Sequence, residues 1–146
     1  MVKDDPLQHL HEGNLKDFCL ALEGVSHFLY LIWNASFDRS VTMLEMELQA
    51  EIDKFVMLVL CLEKQNRQVA PGQLRQLLFE TVSFHADLSE SERQRYRDAS
   101  KLAEKYCWQL ESNYLNSQGR TELLQELRKF YRLTQEDKLR QINRPH

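Results

Sequence analysis

Residues that turn a chain are scarce here. Glycine stands only at positions 13, 24, 72 and 119, and proline only at 6, 71 and 145. A β-protein of 146 residues needs far more turn signals, so helices are the expected element. The same shortage leaves hardly any room for a Gly-rich phosphate loop. Cysteine is sparse and odd in number: Cys19, Cys61 and Cys107 cannot form a closed disulfide framework within one chain. Each has apolar neighbours, which predicts free, buried thiols and a reducing compartment.

Basic excess is missing as well. Lys and Arg total 19 against 22 Asp and Glu, for a net charge of −3, which disfavours a general nucleic-acid binder. Long hydrophobic runs are also lacking. The longest, from Phe18 to Trp33, is interrupted by Glu23, Gly24, Ser26 and His27 and falls short of the about 20 apolar residues that cross a bilayer comfortably. The opening Met1-Val2-Lys3-Asp4-Asp5 is polar and acidic, unlike a secretory or mitochondrial leader. The sequon Asn34-Ala35-Ser36 is therefore expected to be idle. These readings predict a soluble cytoplasmic or nuclear protein with no membrane role.

What is present is a globular profile, with 42% apolar and 28% charged residues. A chain of this length makes one domain and buries roughly 70% of its unfolded surface without metal or disulfide help. Asn14 is expected to cap a first helix whose apolar residues run from Leu15 through Phe18, Leu22, Val25 and Leu29 to Trp33, a period near 3.6. Thr42 and Glu45 form a capping box for a second helix, with its stripe at Leu44, Leu48, Ile52, Phe55, Val59 and Leu62. Pro71 suits the first turn of a third helix carrying Leu74, Leu77, Leu78, Val82 and Leu88. Ser89 and Glu92 open a fourth along Tyr96, Ala99, Leu102, Ala103, Tyr106 and Leu110, which the turn at 116–119 ends. A fifth carries Leu123, Leu127, Phe130 and Tyr131, and Thr134 with Asp137 starts a short sixth.

The predicted fold is all-α: an antiparallel helical bundle of four main helices plus one or two shorter C-terminal helices. Residues 1–13 are expected as a tail, 14–134 as the bundle, and 135–146 as a short helix or tail. Such a fold implies no function by itself.

Chemistry-bearing motifs are weak. His9, His11 and Glu12 cluster near the start but lack the i, i+4 spacing that brings two imidazoles to one metal. His85 falls within an apolar stripe and is expected as a hydrogen-bonded core residue. Glu45/Glu47 and Glu90/Glu92 sit at helix starts, where negative charge is favourable structurally. No catalytic residue, metal site, cofactor or small-molecule substrate is predicted, and the chain is not expected to be an enzyme. Arg93, Arg97, Lys101 and Lys105 repeat every four residues, a ridge that Asp98 and Glu104 offset. Residues 1–118 carry 12 basic and 18 acidic groups, whereas 119–146 carry 7 and 4.

Surplus hydrophobicity is the clearest functional hint. A helix in a simple bundle needs one apolar stripe, and the second helix has two. The extra one comprises Met43, Met46, Ala50, Met57, Leu60 and Cys61, with Asp53 as a polar exception. The first helix has a second line at Leu20, Gly24, His27 and Leu31. Trp108 points away from the main face of the fourth helix, with Leu115 in nearly the same direction. Either other helices of the chain cover these faces, or a partner does. The partner reading makes this a non-catalytic helical interaction protein (an adaptor, regulator or small subunit, homo-oligomeric or in a heteromeric complex) docking through Met43, Met46, Ala50, Met57, Leu60, Cys61, Trp108 and Leu115. The alternative is a regulatory factor of nucleic-acid machinery using the basic C-terminal region.

The cysteine reading is directly measurable. Thiol titration of the native protein should be slow and incomplete, reaching three only on denaturation; rapid titration of all three while folded would overturn it.

Overall fold

The computed structural model describes residues 4–67, 71–80, 88–115 and 120–145. Short side chains set the helix ends. Thr42 accepts a hydrogen bond from Glu45 N, and Glu45 reaches back to the Thr42 amide, which starts α2 (Met43–Lys64). Ser89 does the same for Glu92 N at α4 (Glu90–Leu110), and Thr134 for Asp137 N at α6 (Gln135–Ile142). At α1 (Glu12–Ala35) the cap is His11 in place of the expected Asn14. Its imidazole Nδ1 accepts from Gly13 N while Asn14 Oδ1 accepts from His11 N. This is a capping box with a ring nitrogen as the acceptor. The remaining helices are α3 (Pro71–Glu80) and α5 (Arg120–Tyr131), and the end of α4 widens into a π-turn at Glu111–Leu115.

Glycine is scarce partly because other residues stop the helices. Asp38 and Asn66 adopt left-handed φ of 53° and 54°, a conformation that short polar side chains tolerate. Arg39 N then bonds Asn34 O and Arg67 N bonds Leu62 O, both at 2.9 Å, closing two Schellman-type ends.

Over the described residues the protein is all-helical, with six helices packed on one another and α2 at the centre. Fourteen of its 22 residues are buried, which explains why it carries two apolar stripes. Its main stripe joins Tyr106, Leu110, Leu123, Phe130 and Ile142 in one core. Leu10–Gln65, Ser26–Asp53 and Tyr30–Glu45 hydrogen bonds run α1 antiparallel to α2. The α2–α4 pair is different. Glu47 meets Arg95 near the two N-terminal ends, and Val59 meets Leu110 and Leu115 near the other ends. These two helices therefore run parallel, with α3 as the return between them.

The terminal segments are part of this body. Leu10 is buried in the core, and Gln65 holds the segment before it through Leu10 N and Pro6 O. At the other end α6 buries Lys138 and Ile142 completely. Lys138 Nζ donates to Tyr30 Oη at 2.6 Å and to Gln49 Oε1 at 3.2 Å. It lies 4.3 Å from the Tyr30 ring centroid and 5.4 Å from that of Phe130, a cation–π cage. Tyr30 in turn donates to Glu45, and Gln49 to Asp53, which also accepts from Ser26 at 2.6 Å. One polar chain thus links α1, α2 and α6.

Burial pushes the Lys138 ammonium down to about 8, against the pull of Glu45 and Asp53. Between that value and 10.5, the ordinary value, the unfolded chain holds a proton the folded chain has released, so this residue makes stability rise with pH. The buried Cys and Tyr side chains, pushed upward by burial, act oppositely at high pH. The stability of the native protein minus that of Lys138→Met isolates the lysine. The difference should grow by roughly 3 kcal/mol across the window; a flat difference in denaturant titrations would exclude a perturbed lysine.

Candidate functional site

The first helix leaves an apolar face open. Its inward side uses Asn14, Ser26, Tyr30 and Asn34, all buried. Turning these residues inward rotates Val25 and Leu29, expected in the core, outward; both are more than half exposed, as is neighbouring Ile32, and Phe28 is 63% exposed. The reason lies in hydrogen bonding. Ser26 and Tyr30 satisfy Asp53 and Glu45 of α2, and Asn34 Nδ2 donates to Tyr30 O at 2.8 Å. Asn34 is therefore enclosed, and its sequon offers no accessible amide in this fold. Every exposed residue of α1 from position 20 to 35 is uncharged.

Beside this face lies a groove walled by α1, α2 and α5. It has a volume of about 560 Å³, within the range of small-molecule and side-chain pockets. Val25, Leu29 and Trp33 of α1 form one wall, Val56 and Met57 of α2 the base, and Leu124, Leu127 and Tyr131 of α5 the other wall. Gln49, Asp53 and Ser26 lie at its polar end. Burial raises the Asp53 carboxyl, while the hydrogen bonds from Ser26 and Gln49 and the nearby Lys138 hold it down in part. Arg128 and Arg132 stand on the α5 rim. Arg132 places its guanidinium 5.8 Å from the Trp33 ring centroid. The indole Nε1 of Trp33 is buried and has no hydrogen-bond partner among the described residues.

The eight residues expected to meet a partner are dispersed by the fold. Met46, Ala50 and Cys61 are buried, because the central position of α2 puts both its stripes against other helices; they are not available to a partner. Leu60 is half-buried, and Met43 is exposed at the start of α2. Met57 is 36% exposed and forms part of the groove base. Trp108 is 45% exposed, whereas Leu115 packs against the core with Val59 and Leu123. The π-turn separates those two from the shared direction that a regular helix implies. Leu123 is buried in that same core.

Other motifs resolve structurally. His11 pairs with Asp4 and caps α1, and no group of three His, Cys, Asp or Glu side chains suited to a metal occurs among the described residues. His85, Val82 and the 116–119 turn lie outside the described residues. On the cationic ridge of α4, Arg97 lies 3.8 Å from Glu90 and Lys105 bonds Asn143. Cys61 and Cys107 are buried and Cys19 is half-buried, all free, with burial pushing each thiol upward. The α1 helix includes an 18-residue stretch of mean hydropathy 1.2, long and apolar enough by length and composition to cross a membrane, of which 22% is buried here. The second apolar line expected on the first helix supplies Leu20, Gly24 and Leu31 of this open face, whereas Val25 and Leu29, expected in the core, join it because Ser26 and Tyr30 turn inward.

Paired substitutions test this partition of α2. Met46→Glu should destabilise by roughly 3–5 kcal/mol, since it buries an unpaired charge. Met57→Glu, at the groove, should shift stability by no more than about 1 kcal/mol. Equal losses in thermal melting would contradict the assigned burial. No protein-family model matches this chain, and neither a curated protein nor a solved structure matches it.

Proposed function

We propose that this chain is a non-catalytic helical interaction protein, an adaptor, regulator or small subunit of a multiprotein complex. It acts by burying an apolar helix face against a protein partner. The supporting observation is the uncharged outer face of α1 over positions 20–35, with Val25, Phe28, Leu29, Leu31 and Ile32 all exposed. Monomeric proteins seldom leave a contiguous apolar patch of this kind without a binding role. The adjoining groove adds concavity, and Met57 adds an adaptable wall. Free thiols favour a reducing compartment, the cytoplasm or nucleus.

The basic C-terminal region offers less to nucleic acid. Lys138 is buried, Arg120 pairs with Glu63, and Arg140 pairs with Glu136 and Asp137. Arg128, Lys129, Arg132 and Arg144 remain exposed, spread over α5 and the segments that follow α5 and α6.

Phe28→Glu and Leu29→Glu test the reading together. Both sites are exposed, so melting should stay within about 0.5 kcal/mol of the native protein. Association, measured by solution mass and by affinity capture from the native cell, should be lost. Unchanged association in both variants would refute docking through α1.

A further inference from the structure

Resting on that docking reading, we infer that the groove between α1 and α5 receives an acidic amphipathic helix of a partner protein, its apolar strip in the groove and its carboxylates on Arg128 and Arg132. Charge decides the occupant. On one rim, Arg128 on α5 and Arg132 just past its end carry two guanidinium groups that make no ion pair among the described residues, and both are exposed. The opposite rim, the exposed side of α1 from 20 to 35, carries no charge at all. A ligand matched to both rims is apolar across one side and anionic along one edge. That is the pattern of a helix with apolar anchors at i, i+3, i+4 and i+7 flanked by Asp or Glu. The polar end of the groove is already satisfied, since Asp53 accepts from both Ser26 and Gln49 and faces Lys138, so it does not repel an acidic visitor as an unpaired carboxylate would.

Competing occupants fit less well. A second copy docking through positions 20–35 of its own α1 presents exposed residues without a carboxylate, which leaves Arg128 and Arg132 unmatched. An anionic membrane surface would also meet Arg128 and Arg132, but it gains no cation from the exposed residues 20–35 of α1. A fatty acid matches the apolar lining but offers a single carboxylate to the two guanidinium groups. Trp33 reports on all of them, because its indole forms one wall and its Nε1 lacks a partner among the described residues.

The test uses a synthetic library of 18-residue amphipathic peptides with leucine anchors varied in register and flanks drawn from Glu, Gln or Lys. Binding to the full chain is read by peptide fluorescence anisotropy and by Trp emission. Glu-flanked members should bind at least tenfold tighter than Lys-flanked ones at low salt, with the gap narrowing as salt rises. Arg128→Glu with Arg132→Glu should reverse the preference, and Leu29→Glu should abolish binding of every member. Equal binding of Glu and Lys members that Leu29→Glu still abolishes would overturn the acidic helix while leaving docking through α1 intact. Binding of no member would overturn the inference. So would a native dimer that Leu29→Glu dissociates, or tighter binding to phosphatidylserine vesicles or oleate than to any peptide. If Leu29→Glu also leaves cellular association unchanged, the docking reading fails with it.

Discussion

The buried ammonium of Lys138 is the constraint around which the C-terminal helix and the first two helices are arranged. A charge removed from water is tolerated only when its donors are met. Here Tyr30 and Gln49 accept from it directly, and Glu45 and Asp53 supply the compensating charge. The aromatic rings of Tyr30 and Phe130 enclose what remains. Meeting those demands fixes the rotation of α1, since Tyr30 and Ser26 must point inward together. The apolar residues between them are then carried outward.

That rotation connects stability to function. The helix gives up burial of Val25, Leu29 and Ile32 in order to complete a polar network with α2 and α6. Each such side chain, little more than half exposed, forgoes roughly half of the about 1.5–3 kcal/mol that full burial contributes, and together they amount to a sizeable part of a domain's net stability. A fold that leaves several of them outside along one uncharged strip has a surface suited to a partner. The groove follows from the same geometry: α5 is drawn toward α1 through the Tyr30–Tyr131 edge contact and the Arg39 bond to Arg132 O, yet a gap remains above Val56 and Met57.

The second helix shows the complementary outcome. Surplus apolar residues there signalled either a partner face or a central position, and the fold makes α2 the axis. Its polar residues are buried with it, each held by an identifiable neighbour. Glu47 takes the Arg95 guanidinium at 3.0 Å, and Glu51 pairs with Lys54. Parallel packing of α2 and α4 was not readable from short connections, because α3 intervenes and allows both helices to run the same way.

Local chemistry was legible in the residues themselves. The all-helical class followed from sparse turn residues and 3.6-residue spacing, and the caps at Thr42, Ser89 and Thr134 followed from hydroxyls placed three residues before an acid. These signals act over a few residues, so a linear reading contains them. The imidazole cap at His11, the inward Ser26 and Tyr30, and the buried Lys138 were not legible, since each depends on partners far along the chain; Lys138 and Tyr30 are 108 residues apart. Hydrophobic periodicity says that a helix has an apolar side, but not that this side is the buried one. Only the tertiary structure decides that, because burial of a polar group is favourable solely when a distant residue completes its hydrogen bonds.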